Sequence, residues 1–206
     1  MKVLGLSSSP HKDGNTIALL NESLRGARQE GAETELYSMA GKHYELCDGC
    51  RSCAKTGVCH LKDDMQELLD KMIEADAIIF GAPIYQYAMP AQMKLIIERT
   101  RPIRGVKPNK TDNKLANKVG GIITVAASLG LHQAVKDLYF FIISNYMLPG
   151  DFVAVYAMDK GDLDKRINGK KAAFTLGRQM ARLAAMKFAY PDDLKKDGHA
   201  FGTWDQ

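Results

Sequence analysis

The stretch Ala77-Ile78-Ile79-Phe80-Gly81-Ala82-Pro83-Ile84 decides the architecture. Its first four residues are apolar without alternation, as expected for a parallel strand buried on both faces. The run breaks at Gly81-Ala82-Pro83, and Pro90 then opens a helix carrying Met93, Ile96 and Ile97. Upstream, Asp63 or Asp64 caps a helix whose apolar stripe is Met65, Leu68, Leu69, Met72 and Ile73. Further back, Met1 to Leu6 is a short apolar strand, Ile17, Leu20, Leu24 and Ala27 recur at helical spacing, and Glu33 to Ser38 is a second strand. Downstream, Arg101 to Lys118 is polar and basic and is expected to be an exposed connection. Val119 to Ala126 is the fourth strand, and a helix with Ala134, Val135, Leu138, Phe141 and Ile142 stops near Pro149-Gly150. Phe152 to Met158 is the fifth strand, followed by a helix with Ala173, Leu176, Met180 and Ala184. Strand and helix thus alternate five times, which predicts a doubly wound α/β fold with a parallel sheet. Ligands in such folds bind at the carboxyl ends of the strands.

The 206 residues carry 28 Lys+Arg against 24 Asp+Glu, a formal charge of +4, with 46% hydrophobic and 25% charged residues. A soluble domain holds roughly 100–200 residues, so one domain over 1–206 is expected, with a cysteine-bearing insertion at about 43–62 and a polar tail from about Asp192, apart from Phe201 and Trp204. The composition excludes wholesale disorder. Ala77 to Ile84, the longest apolar run, is far short of the ~20 residues that span a bilayer, and Val3 to Leu6 is too short for a signal peptide. A cytoplasmic protein without membrane or nucleic-acid partners is the expectation, the basic residues being spread rather than clustered.

The loop after the first strand reads Ser7-Ser8-Ser9-Pro10-His11-Lys12-Asp13-Gly14-Asn15-Thr16. It lacks both G-x-G-x-x-G and G-x-x-x-x-G-K-[ST], so neither a dinucleotide fingerprint nor a nucleoside-triphosphate loop is supported. Hydroxyls leading into a helix N-terminus suit a phosphate, to which Ser7, Ser9, Asn15 and Thr16 add hydrogen bonds; a plain turn with a helix cap would use the same residue types. The loop after the third strand, Gly81 to Pro90, is apolar and aromatic, through Tyr85, Tyr87 and Met89. It fits the face of a planar ring, or packing against helices or another subunit.

All four cysteines, Cys47, Cys50, Cys53 and Cys59, fall in one C-x2-C-x2-C-x5-C run. Disulfides staple a fold by closing long loops, which this cluster would not do. The spacing of the first three cysteines matches the compact run that holds iron–sulfur cubanes. Zinc, with His43 or His60 as further ligands, and thiols without metal remain alternatives on spacing alone.

Together these loops resemble a known family. Ser7-x-Ser9-Pro10-x-x-x-Gly14-Asn15-Thr16, Gly81-x-Pro83-Ile84-Tyr85 and Ala91-Gln92-Met93-Lys94 are similar to the NADPH-dependent FMN reductase branch of the flavodoxin-like proteins. The cysteine run with Asp63-Asp64-Met65 resembles the iron–sulfur flavoproteins of that branch. The likeness runs from residue 1 to about Thr100. It implies a five-stranded sheet in the order 2-1-3-4-5 with helices on both faces. It implies FMN, with its phosphate on Ser7, Ser9, Pro10, Asn15 and Thr16 and its ring against Pro83, Ile84 and Tyr85. Ala126 and Ser128 in the loop after the fourth strand would also face the flavin. It implies a 4Fe–4S cluster on the four cysteines near a subunit interface, and hence a homodimer or homotetramer. The chain departs from many relatives in having His11 and Lys12, not Arg, after Ser9-Pro10, and in a loop Ala126-Ala127-Ser128-Leu129-Gly130 with a single glycine.

The expected activity is electron transfer through the cluster and FMN, from ferredoxin to a small acceptor, with no side chain acting as acid or base. The alternatives are an NAD(P)H-dependent FMN or quinone reductase with structural or zinc-binding cysteines, and a non-catalytic flavin carrier or thiol sensor. Arg101, Arg104, Lys107, Lys110, Lys114 and Lys118 give the long connection a positive field, read first as a solvated face and second as a docking patch.

Overall fold

A computed structural model describes residues 1–105 and 112–197. Lys107, Lys110, Phe201 and Trp204 lie outside the described residues. Five parallel strands, β1 (Lys2–Ser7), β2 (Glu33–Ser38), β3 (Ala77–Pro83), β4 (Val119–Ala126) and β5 (Leu148–Tyr156), form one sheet in the order β2-β1-β3-β4-β5. This is the flavodoxin-like order that the resemblance implies. The helices are α1 (Asn15–Gln29), α2 (Cys53–Thr56), α3 (Met65–Glu74), α4 (Ala91–Arg99), α5 (Leu131–Ser144), α6 (Ile167–Ala185) and α7 (Asp192–Asp197).

The two-residue period of the strands sorts their side chains between two cores. Leu4, Leu6, Ile78 and Phe80 join Leu68, Leu69 and Met72 of α3, Met93 and Ile96 of α4, and Leu138 and Phe141 of α5 on one face. Val3, Ala77, Ile79 and Ile123 join Leu19, Leu20 and Leu24 of α1 and Leu176 and Met180 of α6 on the other. Every residue of β3 and β4 is buried, which is why the sequence shows no alternation there.

Three expectations need correction. The third strand does not break at Gly81 but runs to Pro83, pairing with Thr124 and Val125 through Ala82 and Pro83. At Gly81 a Cβ would lie 2.6 Å from Leu20 Cδ1, so glycine accommodates the Leu20 side chain of α1 over the strand. Pro149-Gly150, read as the end of a helix, lies inside β5 instead; α5 ends at Ser144, and Asn145 and Tyr146 make the turn. An edge strand tolerates that proline, and a Cβ at Gly150 would meet Met180 Sδ at 2.7 Å. Finally, the connection from Arg101 to Lys118 is not wholly exposed. Pro102, Ile103 and Leu115 are buried, Asn113 bonds Asn145, and the Lys118 ammonium donates to the carbonyls of Ile73 and Ala75. Short apolar spots inside a basic run carry the core contact that overall polarity conceals.

Between β2 and α3 the chain makes only the four-residue α2, and it is there that all four cysteines lie. The start of the expected tail is helical, as α7. Among the described residues, no helix is long and apolar enough to cross a membrane.

Candidate functional site

The loops after β1, β3, β4 and β5 meet at the carboxyl edge of the sheet around a cleft of about 460 Å³. This size lies within the usual range for small-ligand sites. Its walls bring together Ser9, Asn15 and Thr16, Pro83, Ile84 and Tyr85, and Ala127 and Val125, so three separate loops singled out in the sequence share one space.

The first loop is tightly wound. Ser7 Oγ accepts from the Ser9 amide at 3.3 Å, Ser8 Oγ donates to the Gly81 carbonyl at 3.0 Å, and Ser9 Oγ accepts from the His11 amide at 3.1 Å. Gly14 precedes α1, and no side chain caps the helix. The first-turn amides of this fifteen-residue helix therefore face the cleft beside the Thr16 side chain, with the positive end of the helix dipole behind them. A phosphate matches that donor set.

The loop after β3 forms a two-residue turn in which the Tyr85 and Ala88 amides each donate to the other's carbonyl. Gln86 and Tyr87 occupy the left-handed region, at φ 47° and 69°, where residues other than glycine are uncommon. This conformation is costly, and strain of this kind persists where the surroundings impose it. Gly130, at φ 93°, lets the turn pack against it, since a Cβ there would lie 2.4 Å from the Tyr87 carbonyl oxygen. Tyr85 thereby stands at the cleft wall, with burial pushing its hydroxyl pKa up.

Four of the expected flavin residues do not line the cleft. Ser7 is fully buried at the end of β1 and acts on the loop through Ser9; Ala126 is buried at the end of β4; Ser128 is exposed beyond it. Pro10 lines a neighbouring cleft of about 360 Å³ with Tyr44, Leu46, Ala91 and Gln92, between the first loop and the cysteine segment. Of the loop after β4, Ala127 lines the cleft. The loop after β5 was missed altogether: Met158, Asp159 and Lys160 form one wall. There the Asp159 carbonyl accepts from Asn15 Nδ2 at 3.0 Å, and Lys160 pairs with Asp13 across the cleft mouth. Its position after the last strand was the available signal. His11 and Lys160 bring basic groups to the cleft.

The cysteine segment is wound by left-handed residues at Gly49, Arg51 and Gly57. Cys53 and Cys59 are half-buried, and Cys47 and Cys50 are exposed; none is in a disulfide. Burial, and next the charge of Cys59, push the Cys53 thiol pKa up, with smaller effects of the same sign from Cys47 and Cys50 and an opposing one from Arg101. Cys53 thus feels the charge of the other three cysteines, and thiolates are ligands that suit soft metal ions. His60 Nε2 sits 2.7 Å from Asp48 Oδ2, and with Cys50 these ligand atoms lie within 4.8 Å of one another. His43 faces Glu45 at 3.1 Å.

Both stems of the segment are anchored. The His43 amide bonds Asp64 Oδ2 at 2.7 Å and the Glu45 amide bonds Asp63 Oδ2 at 2.7 Å. Asp63 forms a buried ion pair with Arg99 at 2.8 Å. Burial alone would raise the Asp63 pKa, but Arg99 and the amides of Glu45 and Met65 outweigh it and hold the carboxyl below its ordinary range. Beneath, the Tyr37 and Tyr44 hydroxyls share a hydrogen bond of 2.8 Å; burial pushes Tyr44 up to about 12 and Tyr37 higher, so both remain neutral.

Residues 1–157 match the family NADPH-dependent FMN reductase. An iron–sulfur flavoprotein of Methanocaldococcus jannaschii is 41% identical over 154 residues, covering 73% of this chain and 77% of its own. An iron–sulfur flavoprotein of Archaeoglobus fulgidus is 30% identical over 189 residues, covering 91% of this chain and 82% of its own. Among solved structures, RosB with bound 8-demethyl-8-formylriboflavin-5′-phosphate superimposes with a TM-score of 0.75 over 90% of this chain and 79% of its own, at 18% identity, a likeness of fold. The phosphate-fitting loop, the ring-facing loop and the cysteine run therefore sit in a chain that belongs to the NADPH-dependent FMN reductase family, alongside its iron–sulfur flavoproteins, and that is an FMN-dependent oxidoreductase.

Proposed function

We propose that this protein accepts single electrons from a protein donor of the ferredoxin type at a 4Fe–4S cluster on Cys47, Cys50, Cys53 and Cys59, and delivers them through FMN to a small acceptor. The observation that carries this reading is that all four cysteines, the first three at cubane spacing, lie on one segment whose two stems are anchored, in an FMN reductase chain. When bound, the cluster supplies one-electron and the flavin one- or two-electron chemistry.

The chain's own residues bind, orient and exclude water. The first-turn amides of α1 with Ser9 and Thr16 would hold the phosphate, and Asn15, tied to the loop after β5, fixes the helix start. Pro83, Ile84 and Tyr85, which line the same cleft as Ala127, would hold the ring. Ser7, through Ser9, shapes the phosphate loop, while Pro10 stands between it and the cysteine stem. The reading includes a single domain, a cytoplasmic place and a homodimer or homotetramer that covers the exposed Tyr85, Tyr87 and cysteine edge.

A second reading has one observation behind it: Asp48, Cys50 and His60 could share a zinc ion, leaving NAD(P)H as the donor to the flavin. Anaerobic purification with iron, sulfide and zinc analysis separates the two. About four irons and four sulfides per chain, with turnover from reduced ferredoxin exceeding that from NAD(P)H, are expected; stoichiometric zinc with NAD(P)H turnover would replace the first reading by the second. Released flavin running as FAD would refute the flavin assignment.

A further inference from the structure

Arg99 closes α4 and is only 2% exposed, although the cysteine segment above it lies at the surface. Its guanidinium spans both stems of that segment. Nη1 donates to the Glu45 carbonyl at 2.6 Å, two residues before Cys47, and to Asp63 Oδ2 at 2.8 Å, four residues after Cys59. Nη2 donates to Asp63 Oδ1 at 3.1 Å and to Cys59 Sγ at 3.5 Å. Nε is buried and, among the described residues, has no hydrogen-bond partner.

A guanidinium is a planar fork of five N–H donors, with Nε–H and one Nη2–H projecting from the same edge. The other edge and tip are spent on Asp63 and Glu45. A staple between two loop stems accounts for those bonds and for the choice of a bidentate cation over lysine. It leaves unexplained the edge that reaches Cys59 Sγ, where a buried N–H donor stands without an acceptor. Buried donors are rarely left so, because the group has given up water and received nothing in return. The missing acceptor lies on the side of Cys59, in a segment whose occupant would be rich in anionic sulfur.

We propose that Arg99 is the positioning residue of the cluster site and sets its reduction potential. Its Nε/Nη2 edge donates N–H···S hydrogen bonds to the Cys59 thiolate and the sulfur beside it, favouring the more negative, reduced state. This rests on the reading of the cysteines as an iron–sulfur site. Hydrogen bonds to sulfur and local net charge are among the factors that set cluster potentials. Contacts to ligating residues are also known to tune metal sites generally.

The test uses anaerobically purified holoprotein, wild type and Arg99→Lys, in redox titrations followed by electron paramagnetic resonance of the reduced cluster and by flavin absorbance. Lysine retains a cation for Asp63 but not the second edge. The equilibrium constant for cluster reduction is expected to fall about tenfold, equivalent to about 59 mV for a one-electron couple, with the FMN couple unmoved. An unchanged cluster potential overturns the proposal. A second measurement needs no variant: in wild type labelled with 15N-arginine, spin-echo spectra of the reduced cluster should show a coupled nitrogen, and its absence overturns the proposal even if the lysine variant loses its cluster. Wild type without iron and sulfide would instead sink the functional reading, and this inference with it.

Discussion

Replacing Gly177 by alanine probes the contact that holds α1, whose first turn forms the phosphate cradle, against α6. A Cβ on Gly177 would lie 1.7 Å from the Ser23 carbonyl oxygen and 2.5 Å from its carbon, where ordinary contact begins near 3.4 Å. The opposing Gly26 meets the Phe174 carbonyl oxygen at 2.0 Å in the same way, so the helices cross backbone to backbone. Neither obstacle is a side chain that could turn aside, and the helices would have to part. Parting them breaks the buried 2.7 Å hydrogen bond from Ser23 Oγ to the Ala173 carbonyl and loosens Leu20 and Leu24 against Leu176. Overpacking costs typically 1–3 kcal/mol and belongs here at the upper end, the hydrogen bond adds about 1 kcal/mol, and alanine's better helix propensity returns about 1 kcal/mol. A net loss of about 3 kcal/mol is expected. Urea denaturation of flavin-stripped protein measures it without ligand linkage, as a lower midpoint at constant slope. Ser23→Ala, which removes only the bond, should lose about 1 kcal/mol. A Gly177→Ala protein as stable as wild type, or more so, would refute the close-contact reasoning.

Gly130→Ala should push the Tyr85–Ala88 turn out of place and weaken FMN binding at least about tenfold, a cost of about 1.4 kcal/mol. Fluorescence titration of the flavin-stripped protein would show this, and unaltered affinity would mean that the turn does not contact the ring. Thr124→Val removes a buried hydroxyl that has no partner among the described residues and should raise stability by about 1 kcal/mol in urea denaturation, whereas a loss would reveal an acceptor for that hydroxyl. Hydrogen bonds from Lys71 and then Lys2 hold the Glu35 carboxyl below its ordinary range despite burial. Its folded value being depressed, the stabilisation is present above the unfolded value of about 4.3 and is lost as pH falls through the folded one. Glu35→Gln should therefore lower stability at pH 7, by about 1 kcal/mol or less, and the gap to wild type should close in acid; a gap that persists would assign the effect to packing.

The apolar run from Ala77, the helical stripes and the compact cysteine spacing are local quantities, each set by the periodicity or chemistry of neighbouring residues. They determined a five-stranded doubly wound sheet and a soft-metal segment, and the motifs of the first and third loops named FMN. Where the sequence misled, the deciding neighbour was distant. Gly81 and Pro149-Gly150 read as breaks because nothing nearby shows that Leu20 and Met180 press on those backbones from helices far along the chain. Ile103 and Leu115 vanish in a basic run because burial is settled by what lies opposite. Lys160 reaches the cleft only because the sheet order sets the loop after β5 beside the start of α1. Arg99 is one of 28 basic residues, with no mark of its own in the sequence. Its role follows from a fold that carries Glu45, Cys59 and Asp63 to one guanidinium and shields that group from water, where an unmet N–H has consequences that it would not have at the surface.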